Sequence, residues 1–578
     1  MNLTVTLHGI LAAFAIVAPT LVQAVEKPNI VLILIDDLSH YGVTAYGADR
    51  LSHFSGEFKN APFSTPNIDR LAAEGLRCNH AFAYPLCENT RIALMSGQTN
   101  DRNLLKVKSQ HQSDITFGDV FKQAGYATGI YGKWKQTRGT REIPGKKYIS
   151  QFGWDDYCCF DVVTANQRFI NPDLVINGET VNYNGRKDLD PETGRRWYGP
   201  DICNRQALKF IETNKDKPFF LYYPMILVHD EHKPTPDTQP HSIFDTIDED
   251  QKVDEHKFFP DMIEYMDKLI GNVVAKLDEH GLRENTLIIV MGDNGTKEPF
   301  IHVLPDGREY NGGKGGNKDN GLHVPLVLSW LGKIPESKTY DGLVDVVDIY
   351  PTIAEAADVE IPDKPKIDGI SFWPQATGKP GEARKVIYTW FNGNQPIEDH
   401  TKLLKYAFTK DFKRYAPSKL FPEGRFFDLR SDPLEDAGDK KIKTGWVHYQ
   451  SSGLLLEALD QEQKAAYLAL GKVIDAHDFQ HVEGLKITTG NHQLKKHESK
   501  QLAWEILPAD ATRQNVIWES SDPKVASVDK FGVLHAHAPG EVKVTLYSWD
   551  DAMPQASGNA PTFRRDGLRD TIAVTVGK

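Results

Sequence analysis

A few short stretches of this chain carry side chains that could do chemistry together. Tyr84–Gln98 reads Tyr-Pro-Leu-Cys-Glu-Asn-Thr-Arg-Ile-Ala-Leu-Met-Ser-Gly-Gln. Pro85 ends whatever precedes it, residues 88–95 suit a helix, and Gly97 suits its end. Cys87 then stands at a helix N-terminus, where free N–H groups and the helix dipole favour negative charge. Arg91, four residues on, lies on the same face one turn above it. A nucleophile-sized group, a cation and an anion-binding helix end thus converge. Taken alone, the stretch is equally well read as a buried thiol and a surface arginine on an amphipathic helix.

Residues 30–35 form a continuous apolar run, the pattern of a strand buried on both faces of a parallel sheet. Asp36 and Asp37 follow at its carboxyl end, where open α/β sheets bind ligands. Adjacent carboxylates repel unless a cation neutralises them. The run 287–291 repeats the arrangement and ends on Gly292-Asp293-Asn294-Gly295, two more oxygen ligands at a strand end. A helix cap and a type I′ turn are the plainer alternatives for these two sites. Lys133 and Lys135 follow the short strand 127–131, His229-Asp230 follows the strand 219–223, and Lys314 sits in the loop Gly312-Gly313-Lys314-Gly315-Gly316. Solvated loop lysines are the alternative for Lys133 and Lys135.

The elements between these points must bring them together. Helices are expected over residues 65–74, 117–124, 202–213 and 343–357, with a further strand over 324–330. Met262, Met266, Leu269, Val273 and Leu277 form a helical stripe read as core. Strand–helix alternation specifies an α/β sandwich around a mostly parallel central sheet. Residues 136–200 are polar and expected as loops over the active face; with 230–260 and 296–312 they would carry specificity. Trp154, Tyr157, Phe160 and Trp197, with Arg186, Lys187, Arg195 and Arg196, suit carbohydrate recognition there, and solvated loop residues equally well. From about 370 the character changes. Residues 402–409 and 425–429 alternate like antiparallel strands, 461–476 is a helix and 477–483 a linker. The expected units are residues 25–370, a small α+β subdomain at 371–480, and a separable β-sandwich tail at 484–578.

The 578 residues carry a formal net charge of −12, which argues against nucleic acid as the main partner. The apolar run at 10–18 followed by Val22-Gln23-Ala24 reads as an export signal over residues 1–24. It is too short to span a bilayer well, and no other segment could cross one. The expectation is a periplasmic or extracellular protein with no stable membrane insertion. Five cysteines, Cys78, Cys87, Cys158, Cys159 and Cys203, are an odd number for an oxidising compartment. Cys87 is the best choice for a chemically special one; the other four are paired or are buried free thiols.

These pieces together resemble the type I sulfatases of the alkaline-phosphatase-like superfamily. The likeness runs over residues 28–435 through Pro28-Asn29-Ile30 to Asp36-Asp37, Thr65-Pro66-Asn67-Ile68-Asp69, Cys87 to Arg91, Gly132-Lys133-Trp134, His229, Gly292 to Gly295, and Gly312 to Gly315 ahead of His323-Val324-Pro325. The tail, through Trp518-Glu519-Ser520-Ser521-Asp522, Gly532-Val533 and Pro539-Gly540, resembles the bacterial Ig-like domain of group 2, which implies a spacer or adhesion module. In the sulfatase family the cysteine of Cys-x-Pro-x-Arg is oxidised to formylglycine by a maturation enzyme. Cys87 and Arg91 match; Asn89 stands where the motif has Pro, and Lys135 where many members have His.

The resemblance implies an exported sulfatase acting on a sulfated small molecule or glycan. Asp36, Asp37, Asp293 and Asn294 would hold a cation, and their hard oxygens favour Ca2+, with Mg2+ second. Hydrated formylglycine at 87 would attack sulfur, with Asp37 as its base. Arg91, Lys133 and Lys314 would hold developing charge, His229 would protonate the leaving oxygen, and Lys135 would hydrogen-bond the diol. A phosphomonoester or phosphonate-ester hydrolase on the same scaffold is the alternative enzyme, separated by comparing aryl sulfate with aryl phosphate. A non-catalytic binder of sulfated glycans is the alternative outside catalysis, separated by the mass of the peptide spanning residue 87.

Overall fold

The fold is that of a computed structural model, which describes residues 27–103, 110–136, 145–160, 162, 167–247, 255–391, 403–443, 449–550 and 567–578. The expected export signal, residues 1–24, lies outside the described residues, as do parts of the loops at 136–200 and 230–260. Among the described residues, no helix is long and apolar enough to cross a membrane.

Ten strands of the described residues form one mixed sheet. Their order is Lys338–Asp345, Leu76–Phe82, Leu326–Ser329, Thr286–Gly292, Asn29–Ile35, Phe219–Pro224, Ala127–Lys133, Asp156–Phe160, Asp173–Ile176 and Glu179–Asn182. The middle is parallel: Asn29–Ile35 lies between Thr286–Gly292 and Phe219–Pro224, and Ala127–Lys133 continues the parallel run. Every residue of Asn29–Ile35 and Thr286–Gly292 is buried. Alternation along the first strand divides the core. Ile30, Leu32 and Leu34 pack into one layer, while Val31, Ile33 and Ile35 pack into the other, because successive strand side chains point to opposite faces. The Phe259–Glu279 helix closes the second layer with Met262, Met266, Leu269, Val273 and Leu277, all buried.

Several expectations need correction. Residues 343–345 are not helical: Lys338–Asp345 is an edge strand parallel to Leu76–Phe82, and only Ile349–Ala356 is α-helix. The strand expected at 324–330 is confined to Leu326–Ser329 and runs antiparallel to Thr286–Gly292. The 136–200 stretch is not a set of loops throughout, since it supplies three strands that extend the main sheet. Asp156–Phe160 pairs beside Ala127–Lys133 and turns its aromatics inward. Trp154, Tyr157 and Phe160 are therefore core residues and cannot read a substrate. Trp197 packs against the second core layer with Arg186 over its ring. All five cysteines are free and buried; the Cys158 and Cys203 sulfurs lie 3.9 Å apart, well beyond a disulfide.

Beyond the main sheet, Ile387–Phe391, Leu404–Phe408, Phe412–Tyr415 and Arg425–Asp428 form a four-stranded antiparallel sheet. The Gln461–Ala476 helix lies against it through Leu470 and Ile474, and Asp460 caps that helix by accepting from the Gln463 N–H at 2.8 Å. The tail strands have a core of their own around Leu494, Leu534, Val544 and Val574. They are also docked. Lys530, at the turn between Ala526–Val528 and Val533–Ala536, donates to the Asp114 carbonyl (2.7 Å), to Asp119 Oδ2 (2.9 Å) and to the Gln151 carbonyl (2.7 Å). Asn515 donates to Asp114 Oδ1 at 3.0 Å, Arg513 to the Asp101 carbonyl at 3.2 Å, and Arg102 to the Thr512 carbonyl at 2.9 Å. Within the expected linker, Gln480 and Thr512 exchange hydrogen bonds of 2.9 Å.

Candidate active site

Parallel strands end together, so the residues following them meet. Asp36 and Asp37 leave the end of Asn29–Ile35, Asp293 and Asn294 the end of Thr286–Gly292, Lys133 ends Ala127–Lys133, and His229 follows Phe219–Pro224. The Asp37 backbone turns to φ +62°, which lets consecutive carboxylates address one centre. The Cys87 helix enters from the neighbouring strand Leu76–Phe82. It spans Cys87–Ser96, all ten residues are buried, and Gly97 ends it at φ +66° with its N–H on the Ala93 carbonyl.

Helical spacing then fixes two further contacts. Thr90 Oγ1 donates to the Asp293 carbonyl at 2.7 Å. Arg91 donates to Asp293 Oδ2 at 2.8 Å and to the Lys133 carbonyl at 3.1 Å, with Asp36 Oδ2 at 3.6 Å. The guanidinium is fully buried, so the surface-arginine alternative fails. Lys133 donates to Asp36 and, at 3.4 Å, to the Cys87 sulfur. Lys314 donates to Asp37. Asn89 is occupied in packing, its amide donating to Asn100 Oδ1 at 2.8 Å.

Burial works against the Asp36 charge, but Lys133, His229 and Arg91 hold its carboxyl well below the usual range. Burial and the Asp36 charge together push the adjacent Asp293 upward, against Arg91 and Lys133. Burial pushes the Cys87 thiol up to about 12, with Glu88 adding to it, so an unmodified Cys87 is a neutral thiol. Burial, Lys133 and Lys314 lower the His229 pKa. Its Nδ1 lies 2.5 Å from Asp230 Oδ1, and its Nε2 faces Asp37 at 3.8 Å.

The donor set suits a hard cation. Asp36 Oδ1 and Asn294 Oδ1 are buried and have no hydrogen-bond partner among the described residues, a costly arrangement unless something polar meets them. The Asn294 amide N–H groups are spent on Asp37 Oδ1 and the Gly295 carbonyl, both at 2.9 Å, so its oxygen is the one polar atom of that side chain left unmatched. Ligand atoms of Asp36, Asp37 and His229 lie within 4.8 Å of one another, as do those of Asp36, Cys87 and Asp293.

All ten residues singled out from the sequence are thus drawn to one place, with one change of partner. Asp37 is directed at His229 and Lys314. The carboxylate in contact with Cys87 is Glu88, whose Oε2 accepts from the sulfur at 3.3 Å and whose Oε1 pairs with Lys135 at 3.3 Å. The sequence reasoning missed Glu88, although it adjoins Cys87; a helix periodicity argument gives i and i+1 no common face. It also missed Asp230, the orienting partner of His229, and Lys297, which donates to Asp230 Oδ2 at 3.2 Å.

Comparison with known proteins gives the following. The family model described as Sulfatase matches residues 28–359, that of the N-sulphoglucosamine sulphohydrolase C-terminal region matches 317–443, and that of the bacterial Ig-like domain (group 2) matches 481–556. Arylsulfatase D of Homo sapiens is 24% identical over 441 residues, covering 62% of this chain and 70% of that protein. The N-acetylgalactosamine-6-O-sulfatase of Bacteroides thetaiotaomicron is 26% identical over 488 residues, covering 72% and 89%. The crystal structure of the PsFucS1 sulfatase from Pseudoalteromonas sp. shares the fold, with a TM-score of 0.56 at 21% identity over 78% of this chain and 90% of that one.

Proposed function

The chain belongs to the sulfatase family and is a sulfuric ester hydrolase; from that premise we propose that it frees sulfate from a sulfated carbohydrate, using a nucleophile made from Cys87 and a calcium ion held by Asp36, Asp37, Asp293 and Asn294. The observation that carries the reading is the surroundings of Cys87: Lys133 at 3.4 Å, Glu88 at 3.3 Å, and oxygens of Asp36 and Asp293 within 4.8 Å. The cation, when bound, polarises a sulfate oxygen, and formylglycine at position 87 supplies the attacking oxygen.

The side chains do the rest. Arg91 fixes Asp293 and Asp36 in place. Lys133 and Lys314 present ammonium groups to the anionic oxygens of the ester. Asp230 holds His229 through Nδ1 and so aims Nε2 inward, the position from which it protonates the departing sugar oxygen. Glu88, buried beside residue 87 and paired with the partly exposed Lys135, takes the proton of the nucleophilic group. The sugar assignment draws on the Bacteroides thetaiotaomicron relative, which is named for an N-acetylgalactosamine 6-O-sulfate. The apolar run and Val22-Gln23-Ala24 support export to the periplasm or beyond, with a formylglycine-generating enzyme as the maturation partner.

Co-expression with such an enzyme tests the reading. The peptide spanning residue 87 should weigh about 18 Da less than its cysteine form, and the protein should turn over an aryl sulfate faster than the matching phosphate. Full turnover with a plain Cys87 thiol would refute the nucleophile. A panel of sulfated mono- and oligosaccharides then tests the sugar.

A further inference from the structure

A second cluster of ligating side chains lies outside the residues assigned above. His53 ends the Arg50–His53 strand, and His256 opens the turn His256–Phe258 ahead of the Phe259–Glu279 helix. Their rings meet edge to edge, with His53 Nε2 at 2.8 Å from His256 Nδ1. Glu57 completes the group, since the three residues offer ligand atoms within 4.8 Å of one another.

The carboxylate is positioned by the backbone. The loop after His53 closes on itself, with the Gly56 N–H on the His53 carbonyl at 2.9 Å and the His53 N–H on the Phe58 carbonyl at 3.0 Å. That closure carries Glu57 back over His53. The Lys257 N–H then donates to Glu57 Oε1 at 3.2 Å, which leaves Oε2 facing both rings, 4.0 Å from His53 Nδ1 and 3.9 Å from His256 Nδ1. Ser55 Oγ lies 2.7 Å from His53 Nδ1. The Ser55 N–H reaches the same nitrogen at 3.3 Å, so the ring is held in orientation from its Nδ1 side, and a cation would displace the proton now shared between the two imidazoles. Phe300 forms an apolar wall 5.3 Å from the His256 ring. A mere hydrogen bond between two imidazoles would not need the aimed carboxylate.

We propose that His53, His256 and Glu57 form a second metal site, which takes a zinc-like divalent cation through two imidazole nitrogens and one carboxylate oxygen. Two borderline nitrogen donors and a carboxylate suit zinc rather than calcium, which prefers six or more oxygens. Zinc ligands at about 2.0 Å in a tetrahedron stand roughly 3.3 Å apart, so small ring rotations bring these donors into place. The bound cation ties the loop at 53–58 to the start of the long helix. His232, three residues beyond His229, packs edge-on against His256 at 5.3 Å, so the clamp also steadies the segment leading from the proposed acid.

The test uses full-length protein stripped of metal and then saturated with Ca2+. Zn2+ added to this protein should bind with one further equivalent and raise the melting temperature. Co2+ as a replacement probe should give visible d–d absorption of a four-coordinate site. His53→Gln and His256→Gln should lose the cobalt band and the thermal shift. Glu57→Gln, at a half-exposed position that leaves the fold intact, should weaken Zn2+ binding at least tenfold. Asp293→Ala should leave the band unchanged, which separates this site from the calcium site. Absence of the band in the native protein, or its survival in all three cluster variants, would overturn the proposal.

Discussion

Replacing Lys530 with methionine keeps the aliphatic stem that carries the ammonium between the tail and the main sheet domain, and removes only the charge. The native side chain is 16% exposed, and its ammonium pairs with Asp119 at 2.9 Å and caps the Asp114 and Gln151 carbonyls at 2.7 Å each. Asp119 is not orphaned by the change, because the Thr116 N–H and hydroxyl both donate to it at 2.9 Å. The loss therefore falls on three charge-assisted bonds, one to a carboxylate and two to carbonyls. At about 1.5–3 kcal/mol for a bond to a charged group, offset by water entering the seam, the net cost to docking is about 2–4 kcal/mol. With 1.4 kcal/mol per tenfold, the undocked fraction should rise roughly 30- to 700-fold. Hydrogen exchange at residues 114–119 and 529–532 reads that fraction, and protease nicking within 477–483 reads it independently. Aryl sulfate turnover should stay within a few-fold, since Lys530 touches none of the residues around Cys87. Unchanged exchange and nicking in the Lys530→Met protein would refute the idea that this lysine holds the tail. Truncation at residue 480 then asks the larger question: we propose that the catalytic unit keeps its turnover without the tail and loses stability.

Other outcomes follow from the same geometry. Burial pushes the Asp114 carboxyl up to about 7; because the folded value exceeds the unfolded one, the folded state keeps a proton that the unfolded chain loses. Stability should thus fall, by on the order of a few kcal/mol, as pH rises from about 4 to about 7 and level off above. Asp114→Asn should flatten that part of the denaturation profile, and an unaltered slope would count against the assignment. Asp293→Ala removes the 2.8 Å partner of a fully buried Arg91 and leaves it Asp36 at 3.6 Å, so unfolding experiments should register a loss of roughly 3 kcal/mol and elemental analysis a loss of the proposed divalent cation; native metal content with full turnover would be decisive against the site. Glu88→Gln should lower kcat roughly tenfold or more while the mass at residue 87 stays that of the modified form, and an unchanged kcat would remove Glu88 from the chemistry.

The parts of the site that were legible share one property: they depend on local pattern. Asn29–Ile35 and Thr286–Gly292 are buried on both faces, so they appear as unbroken apolar runs whose ends are plain, and the proposed ligands follow directly. Cys87 and Arg91 were tied by helical spacing, and Gly97 marked where that helix stops. What escaped depends on pairing at a distance. Leu343–Asp345 has a helix-compatible composition, but alignment beside Leu76–Phe82 draws it into the sheet. The aromatics at 154, 157 and 160 sit in a polar stretch, and only the neighbouring strand decides that they point inward. The docking of Lys530 on Asp114 and Asp119 joins residues more than four hundred positions apart, and no spacing rule reaches that far. Asp230 was the exception, since a His-Asp pair at a strand end could have been read as an oriented acid.

The burial of Cys87 also sets a timetable. The thiol is 2% exposed at the head of a helix with no exposed residue, so an enzyme that oxidises it must arrive before that helix is sealed. The seal is made late. Thr90 and Arg91 are pinned by Asp293, which leaves the ribosome about 200 residues after Cys87. At roughly 5–20 residues per second, that delay is on the order of 10–40 s. For the oxidation of Cys87 proposed above, chain order alone would grant a maturation enzyme a window of tens of seconds before the lock closes, and a circular permutant that placed residues 286–294 ahead of Cys87 would forfeit it.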